Sequence, residues 1–458
     1  MRFVPLCALM LASCVPGSDD FVVVDDAGRG PFDASLQDSG PRDGGPRDGG
    51  PHDAGPGDAG ADGGPVFTPT ALDVECGSVW TDSDGTGPCA GREVVTVAVP
   101  FQCLDVAVAR AADGTITAAF NDSEGFDVGR IGTAVFHEDA AGSASPGPTI
   151  EPESTFGDVV GVDLALATEP PDIHHIAYWL RSDFGHEVRY RRLRGGVFTP
   201  VQTLETGVGR TGVVDVAIDS DRRAVVAWHD DTSGENAVRR EVEGEAFSPT
   251  VNVRTDGDPR IEGGGAAALH PGRSGRMHFA YQWCISLAAS APSYSVASGT
   301  MWSTARTLDN QAIANRASGV AADVTLVGDE VVVAYLDWID GVGELRFARF
   351  IGSDEVSTEV YLADLRIADR PGDHPLVLQT DAEGLLSLLV ADAGFSLTRL
   401  QWHRQTRVGG EVRWLVDTIA EITAPPEEVH VAMVLGPDRR PHIVYWDRTE
   451  IRYATARP

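Results

Sequence analysis

Aspartates recur in this chain at two fixed places in a repeated pattern, and their spacing is the first thing that could do chemistry. One set opens short apolar segments: Asp105, Asp163, Asp215 and Asp323. The other follows two residues after a recurring bulky position: Asp122, Asp230, Asp337, Asp392 and Asp447. If the two segments are antiparallel neighbours, the start of one lies beside the end of the other. Asp105 is then expected beside Asp122, Asp215 beside Asp230, and Asp323 beside Asp337. Adjacent carboxylates repel unless a proton, a cation or backbone N–H groups intervene. Calcium suits an all-oxygen ligand set and is the only cofactor this pattern suggests. The competing role is architectural, each Asp capping the loop into its unit by accepting backbone N–H bonds. Repetition in most units favours the cap, because related units cannot all be active.

His175, His278 and His442 each stand three residues before a tyrosine, in Ile-Ala-Tyr, Phe-Ala-Tyr and Ile-Val-Tyr contexts. Rings spread over separate units cannot converge on one metal, so packing is the expected role and no metal site is assigned. Asp82-Ser83-Asp84-Gly85 resembles the opening of a calcium loop but lacks the downstream Glu of an EF-hand. No Ser-His-Asp elbow, phosphate loop or zinc motif is present, and no catalytic residue is assigned.

The elements that must position these residues are strands. The bulky position recurs at Phe120, Tyr178, Trp228, Tyr281, Tyr335 and Tyr445, with Val390 in the remaining slot. A spacing of roughly 50 to 58 residues belongs to propellers and other repeat arrays. Each unit reads as four short strands. The first (Asp105–Ala109, Asp163–Ala167, Asp215–Asp219, Asp323–Val327, His430–Val434) carries small residues on one face: Ala107, Ala165, Ala217, Thr325, Ala432. Small side chains suit an innermost strand where sheets converge on an axis. A turn such as Asp113-Gly114 or Glu383-Gly384 leads to the second strand and its aromatic. The third carries Arg beside an aromatic, as in Arg189-Tyr190, Arg346-Phe347 and Arg452-Tyr453. Repeated four-stranded antiparallel units arranged radially make a β-propeller, an all-β fold. Seven blades are expected, with six or eight as the neighbouring counts, over residues 66–458. The last unit ends after its third strand, so its fourth is expected from the N-terminal side. Val66-Phe67-Thr68-Pro69 copies Val197-Phe198-Thr199-Pro200 and is the first candidate for that strand; Glu93 to Val99 is the rival.

The segment before the propeller has two parts. Residues 1–13 place one positive charge before a short apolar stretch, the pattern of a signal peptide. Leu11-Ala12-Ser13-Cys14 resembles the lipobox of bacterial lipoproteins. That resemblance implies cleavage before Cys14 and its acylation with a palmitate-type chain. Val15 follows the cysteine, so an outer-membrane anchor is implied, with the membrane face left open. Within residues 14–65, the stretch from about Gly28 to Pro65 is dominated by Gly, Asp, Pro and Ala, with pentads such as Pro-Arg-Asp-Gly-Gly. With little to bury they are expected to be a disordered tether, spanning roughly 40 Å.

The formal net charge is −32. Phosphate backbones are repelled, which argues against nucleic acid, and an anionic membrane surface is an equally poor partner beyond the lipid anchor itself. Of the cysteines, Cys7 leaves with the signal and Cys14 is lipidated. Cys76, Cys89, Cys103 and Cys284 remain, an even number that favours disulfides in an exported chain. Cys76 with Cys89 is the expected first pair, and Cys103 with Cys284 the second unless both stay free. A monomer is expected.

From Phe67 to Pro458 the repeats resemble the layout of bacterial sialidase-like propellers. The family's Asp-box, Ser-x-Asp-x-Gly-x-x-Trp, has no copy here. The resemblance implies a catalytic set of three arginines on a substrate carboxylate, a Tyr–Glu pair and an Asp acid, and none of these roles falls on a matching motif. Two functions follow: a tethered binding module for a glycan or protein ligand, or a glycoside hydrolase with a degenerate propeller site.

Overall fold

Strands that bury alternate residues need a second sheet to cover them. In the computed structural model of the chain that cover is always the neighbouring blade. Seven four-stranded antiparallel blades stand in a ring. The structure describes residues 92–456 apart from 101, 124–128, 152–158, 183–184, 209–212, 231–234, 243–245, 254–262, 287–288, 300, 310–315, 340–341, 366–375, 394–396 and 424–428. The innermost strands are Val106–Arg110, Val159–Glu169, Val214–Ile218, Gly263–Pro271, Arg316–Val327, Leu376–Thr380 and Val431–Leu435. Blades 4 and 5 share one continuous sheet, because Ala289 and Ser290 of blade 4 pair in parallel with Arg316 and Ala317 of blade 5.

The core is a series of sandwiches between adjacent blades. Trp179 and Tyr190 of blade 2 pack on Val214, Val226 and Trp228 of blade 3. Trp402 and Ile419 of blade 6 pack on Val431, Ile443 and Tyr445 of blade 7. All the bulky positions read from the repeat, Val390 included, are buried. Each lies opposite a fixed position on its inner strand: Phe120 opposite Val106, Tyr178 opposite Leu164, Trp228 opposite Val214, Val390 opposite Leu376, Tyr445 opposite Val431.

The ring closes through the rival strand. Arg92–Ala98 pairs antiparallel with Ile451–Ala456 and becomes the fourth strand of blade 7. Val66–Pro69, the first candidate, lies outside the described residues, as do Cys76, Cys89 and the Asp82–Gly85 loop. The copy of Val197–Pro200 was a misleading guide for a physical reason. Val197-Phe198 forms only a two-residue preface on Leu193 and Arg194, whereas the body of that fourth strand is Gln202–Val208. In Arg92–Ala98 the alternation runs longer, and Val94 enters the core with Leu389, Trp402 and Ala454.

Every blade has two ends. At one, the first strand turns into the second and the third into the fourth; we call this the hairpin end. The first turn uses a left-handed residue in several blades, Gly114, Gly328 and Gly384 in blades 1, 5 and 6, but Arg222 (φ 62°) and Arg439 (φ 68°) in blades 3 and 7. Both arginines reach back to the preceding blade, Arg222 to Glu169 at 2.8 Å and Arg439 to Asp381 at 2.5 Å. An inter-blade ion pair thus accompanies each strained turn.

Removal of Arg92–Ala98 exposes the edge of Ile451–Ala456 and part of the last core. A chain beginning at residue 99 is expected to lose several kcal/mol against one beginning at Arg92, on the scale of about 5–15 kcal/mol for a whole domain. Equal midpoints for the two in urea unfolding would refute closure by this strand.

Candidate functional site

The aspartates of the inner strands accept backbone N–H bonds, each from the next blade. Asp105 accepts from its neighbour Val106 N–H at 2.7 Å and from Leu164 N–H of blade 2 at 2.7 Å. Asp215 accepts from Val216 at 2.7 Å and from Leu269 of blade 4 at 2.6 Å. Asp323 accepts from Val324 at 2.7 Å and from Leu378 of blade 6 at 2.6 Å. Asp163 reaches Val214 N–H of blade 3 at 3.2 Å. Gln379 does the same for the last step, accepting from Leu435 N–H of blade 7 at 2.7 Å and donating to Met433 O at 2.8 Å. One rule covers all five. Counting from the residue opposite the bulky position, each side chain bonds the N–H one place further along the next blade. Asp105 and Asp163 stand one place before that residue, Asp215 and Asp323 one place after, Gln379 three after.

The expected pairing with the second set of aspartates is therefore corrected. Asn121 N–H donates to Asp105 O, so Asp105 shares a face with Asn121, and Asp122 falls on the other. Asp323 lies opposite Ala334, three positions before Asp337, which again separates the two by face. Asp215 lies opposite Ala227, three before Asp230, whose side chain lies outside the described residues. The second set bonds to the third-strand arginines instead. Asp122 takes Arg130 at 2.6 Å, Asp337 takes Arg346 at 3.1 Å, and Asp447 takes Arg452 at 2.5 Å. Among the described residues no group of three or more His, Cys, Asp or Glu side chains is placed to hold a metal.

The histidines pair with tyrosines of the third strand. His175, His278 and His442 each place Nδ1 2.6 Å from a hydroxyl, that of Tyr190, Tyr294 and Tyr453 respectively. His403 of blade 6 meets Tyr361 of blade 5 at 3.0 Å. Glu169 lies 3.1 Å from the other nitrogen of His175, and Glu138 lies 3.2 Å from that of His442. Tyr190–His175–Glu169 and Tyr453–His442–Glu138 thus have the order of nucleophile, base and orienting carboxylate. Both tyrosines and both imidazoles are 0% exposed, so no substrate atom can reach them, and they act as cross-strand clamps. The blades leave room for them with glycine: a Cβ on Gly272 would sit 2.4 Å from His278 Nε2. The sequence showed the histidines and two of these tyrosines separately; only the strand register joins them.

Two tyrosine–carboxylate–arginine groups also occur at equivalent places. In blade 2, Tyr178 donates to Glu151 at 2.5 Å and Arg189 pairs with Glu151 at 2.9 Å. In blade 5, Tyr335 donates to Asp309 at 3.2 Å, and Arg346 pairs with Asp337 and with Glu344 at 2.6 Å. A nucleophilic tyrosine needs a lowered pKa. Burial, and then the adjacent carboxylate, push both hydroxyls far above their ordinary range. Both groups hold the structure.

Cys103 is a free, buried thiol that donates to Asp105 O at 3.1 Å; the side chain of Cys284 lies outside the described residues. Blades 2 and 3 separate the two cysteines in the ring. Burial pushes the Cys103 thiol pKa up, further raised by Asp105, which makes it unreactive.

A cleft opens at the hairpin end between blades 6 and 7, with a volume of about 370 Å³. Ser387, Arg404, Gln405 and Thr406 line it from blade 6, and Arg439 and Arg440 from blade 7. Arg404 places its guanidinium carbon over the Trp402 ring, 4.5 Å from its centroid, and lies 3.5 Å from Asp417. Arg439 is spent on blade 6, bonding Asp381, Glu383 and the Gln405 carbonyl. Arg440 contacts Asp438 at 3.2 Å and Asp139 at 3.4 Å. Sequence reading missed this cleft because its residues come from turns of two blades and from no repeated motif.

No family model and no curated protein matches the chain. Solved structures do. A PL25 ulvan lyase bound to a GlcA–Rha3S saccharide is similar with a TM-score of 0.49 and 10% identity, over 79% of this chain and 94% of that one. The SapL1 lectin in complex with α-methyl fucoside has a TM-score of 0.42 and 10% identity, over 72% and 98%. The NanB sialidase of Streptococcus pneumoniae has a TM-score of 0.39 and 9% identity, over 79% and 69%.

Two outcomes follow from this geometry. Asp323→Ala leaves Leu378 N–H without its acceptor, and a cost of about 1–3 kcal/mol is expected. Chelation should leave the melting temperature of the parent unchanged. A parent that melts several degrees higher in millimolar calcium would contradict the backbone role. The second outcome concerns pH. Burial above all lowers the pKa of His175, His278 and His442 to about 4. The unfolded chain takes up these protons from about pH 6.5 downwards, while the folded chain refuses them until about pH 4. Stability is therefore full above pH 6.5 and lost as pH falls through this window. Urea midpoints that stay level between pH 7 and pH 4.5 would show that the clamps do not bear on stability.

Proposed function

We propose that the chain is a non-enzymatic propeller that binds a glycan, held at the outer membrane through Cys14 and the 14–65 tether. The observation that carries this reading is the cleft between blades 6 and 7. It lies within the size range of small-molecule sites, about 300–1,000 Å³, and its lining offers guanidinium, amide and hydroxyl groups suited to a polyol. Glycoside hydrolysis ordinarily needs two carboxyl groups flanking the bond. The lining supplies one, Asp438. The buried tyrosine–carboxylate groups of blades 2 and 5 are the alternative seat of a sialidase-like reaction, and their burial counts against it.

Two measurements on the purified full-length chain in detergent test the proposal. Binding to some members of a glycan array is expected, together with no turnover of a panel of aryl glycosides, sialosides included. Turnover that survives Ser387→Ala and Arg440→Gln would replace the binding reading with the hydrolase. An array without a single bound glycan would end it.

A further inference from the structure

The outermost strand of a blade has an edge with no partner inside the blade, and such an edge is a template for pairing with another chain. Most blades here blunt it. The fourth strand is two residues long in blade 1 (Ser145–Pro146), three in blade 3 (Val251–Val253), and two short pieces in blade 4 (Met301–Trp302 and Arg306–Thr307). In blades 2 and 5 its register is broken twice, and in blade 7 once. Blade 6 differs. Its fourth strand, Glu411–Ile422, keeps unbroken register with the third from Glu411 to Thr418. Among the described residues no strand pairs with its outer edge.

The turn before this strand fixes which backbone groups face outward. Gly409 and Gly410 both have positive φ, 61° and 92°, as a two-residue type I′ hairpin requires. Val408 and Glu411 close that hairpin and so exchange both of their hydrogen bonds. Bonded and non-bonded pairs alternate from there. Arg413, Leu415 and Asp417 therefore point their N–H and C=O groups at the third strand, and Val412, Trp414, Val416 and Thr418 point theirs at the open edge. The same four residues share one face. Trp414 is buried there against Tyr361 and Phe347 of blade 5, with ring centroids 4.7 and 6.0 Å away. Val412 and Val416 beside it are 40% and 37% exposed. The edge thus joins outward backbone groups to uncovered apolar side chains.

We infer that this edge pairs with the same strand of a second copy of the chain, antiparallel about a two-fold axis at Leu415, so that the two blades form one sheet. The sequence of the strand selects the partner and the register. With Leu415 opposite Leu415, the outward groups of Trp414 meet those of Val416, and those of Val412 meet those of Thr418, for about eight backbone hydrogen bonds. Aromatic and β-branched side chains then stand side by side. Arg413 comes opposite Asp417 and Glu411 opposite Ile419, so no like charges meet. An axis at Arg413 would set that residue against its own copy, and an axis at Trp414 would set Glu411 against Asp417. This departs from the monomer expected from the sequence and is independent of glycan binding. A seam of this length is smaller than a standard interface, so association is reversible and shows as a mass that rises with concentration.

The test uses the full-length chain in detergent. Its protein mass by light scattering should double as concentration rises. Val416→Pro removes one outward N–H and none that the blade uses, so it should melt like the parent and stay monomeric. Arg413→Glu sets like charges at both ends of the seam and should weaken association by about tenfold. Register is read separately. Across the two-fold axis the two Leu415 Cα atoms lie about 4.5 Å apart, within the span of a disulfide. Mild oxidation should therefore link Leu415→Cys chains in pairs. The parent, with its own cysteines, and Thr206→Cys, on the fourth strand of blade 2, should stay unlinked. The link needs no proline variant, so a misfolded one cannot hide the result. Two chains that merely share a micelle would double the mass of Val416→Pro as well and leave Leu415→Cys unlinked. That outcome, or a mass that stays monomeric at every concentration, would overturn the inference.

Discussion

The structure depends on a short hydrogen bond that crosses from one blade to the next. A carboxylate on an innermost strand accepts from the backbone of its own strand and from the backbone of its neighbour's. Apolar packing between blades is strong but does not by itself fix how far one sheet slides along another. A side-chain bond to a single N–H, charge-assisted where the acceptor is an aspartate, does. Asp105, Asp163, Asp215, Asp323 and Gln379 set that register at five of the ring's junctions. The anchor moves outward along the strand by two residues between blades 2 and 3, and again between blades 5 and 6, yet the one-place offset is kept. Register is conserved here while the residue that enforces it migrates.

Further out, contacts within and between blades add to this bond. Histidine–tyrosine clamps bind the second strand to the third, arginines in left-handed turns tie the hairpin end of one blade to the previous one, and third-strand arginines close on the acids at the opposite end. Most groups that could attack, protonate or coordinate something are thereby engaged and buried. The arginines of the cleft between blades 6 and 7 are ion-paired too, but they border open space.

Much of the fold was legible in the sequence. Alternation, small inner residues and one bulky position per unit report packing, and packing repeats with the blade. Phe120, Tyr178, Trp228 and Val390 all lie where the repeat puts them. The partners of the aspartates were not legible, because their acceptor sites face backbone N–H groups, and every residue but proline has one. Parity decided the rest: Asp122 and Asp337 stand an odd number of positions from the residues that share a face with Asp105 and Asp323, so adjacency in the strand end became separation across the sheet. The closing strand was misjudged for a related reason. A four-residue likeness at Val66–Pro69 records how a turn is left, whereas strand identity in Arg92–Ala98 comes from alternation over its whole length.

The strand that completes blade 7 also sets a timetable. Arg92–Ala98 precedes every other described strand in the chain, and its partner Ile451–Ala456 follows them all. A ribosome therefore releases the first half of the seam before, and the second half after, every other described strand. Until then Val94 has no core to enter, and blade 1 has no neighbour on one side. Partial chains are left with apolar faces uncovered at both ends of the growing arc, the state most open to misassembly with other copies. Joining the first described strand to the last makes closure of the ring wait for the synthesis of Ile451–Ala456.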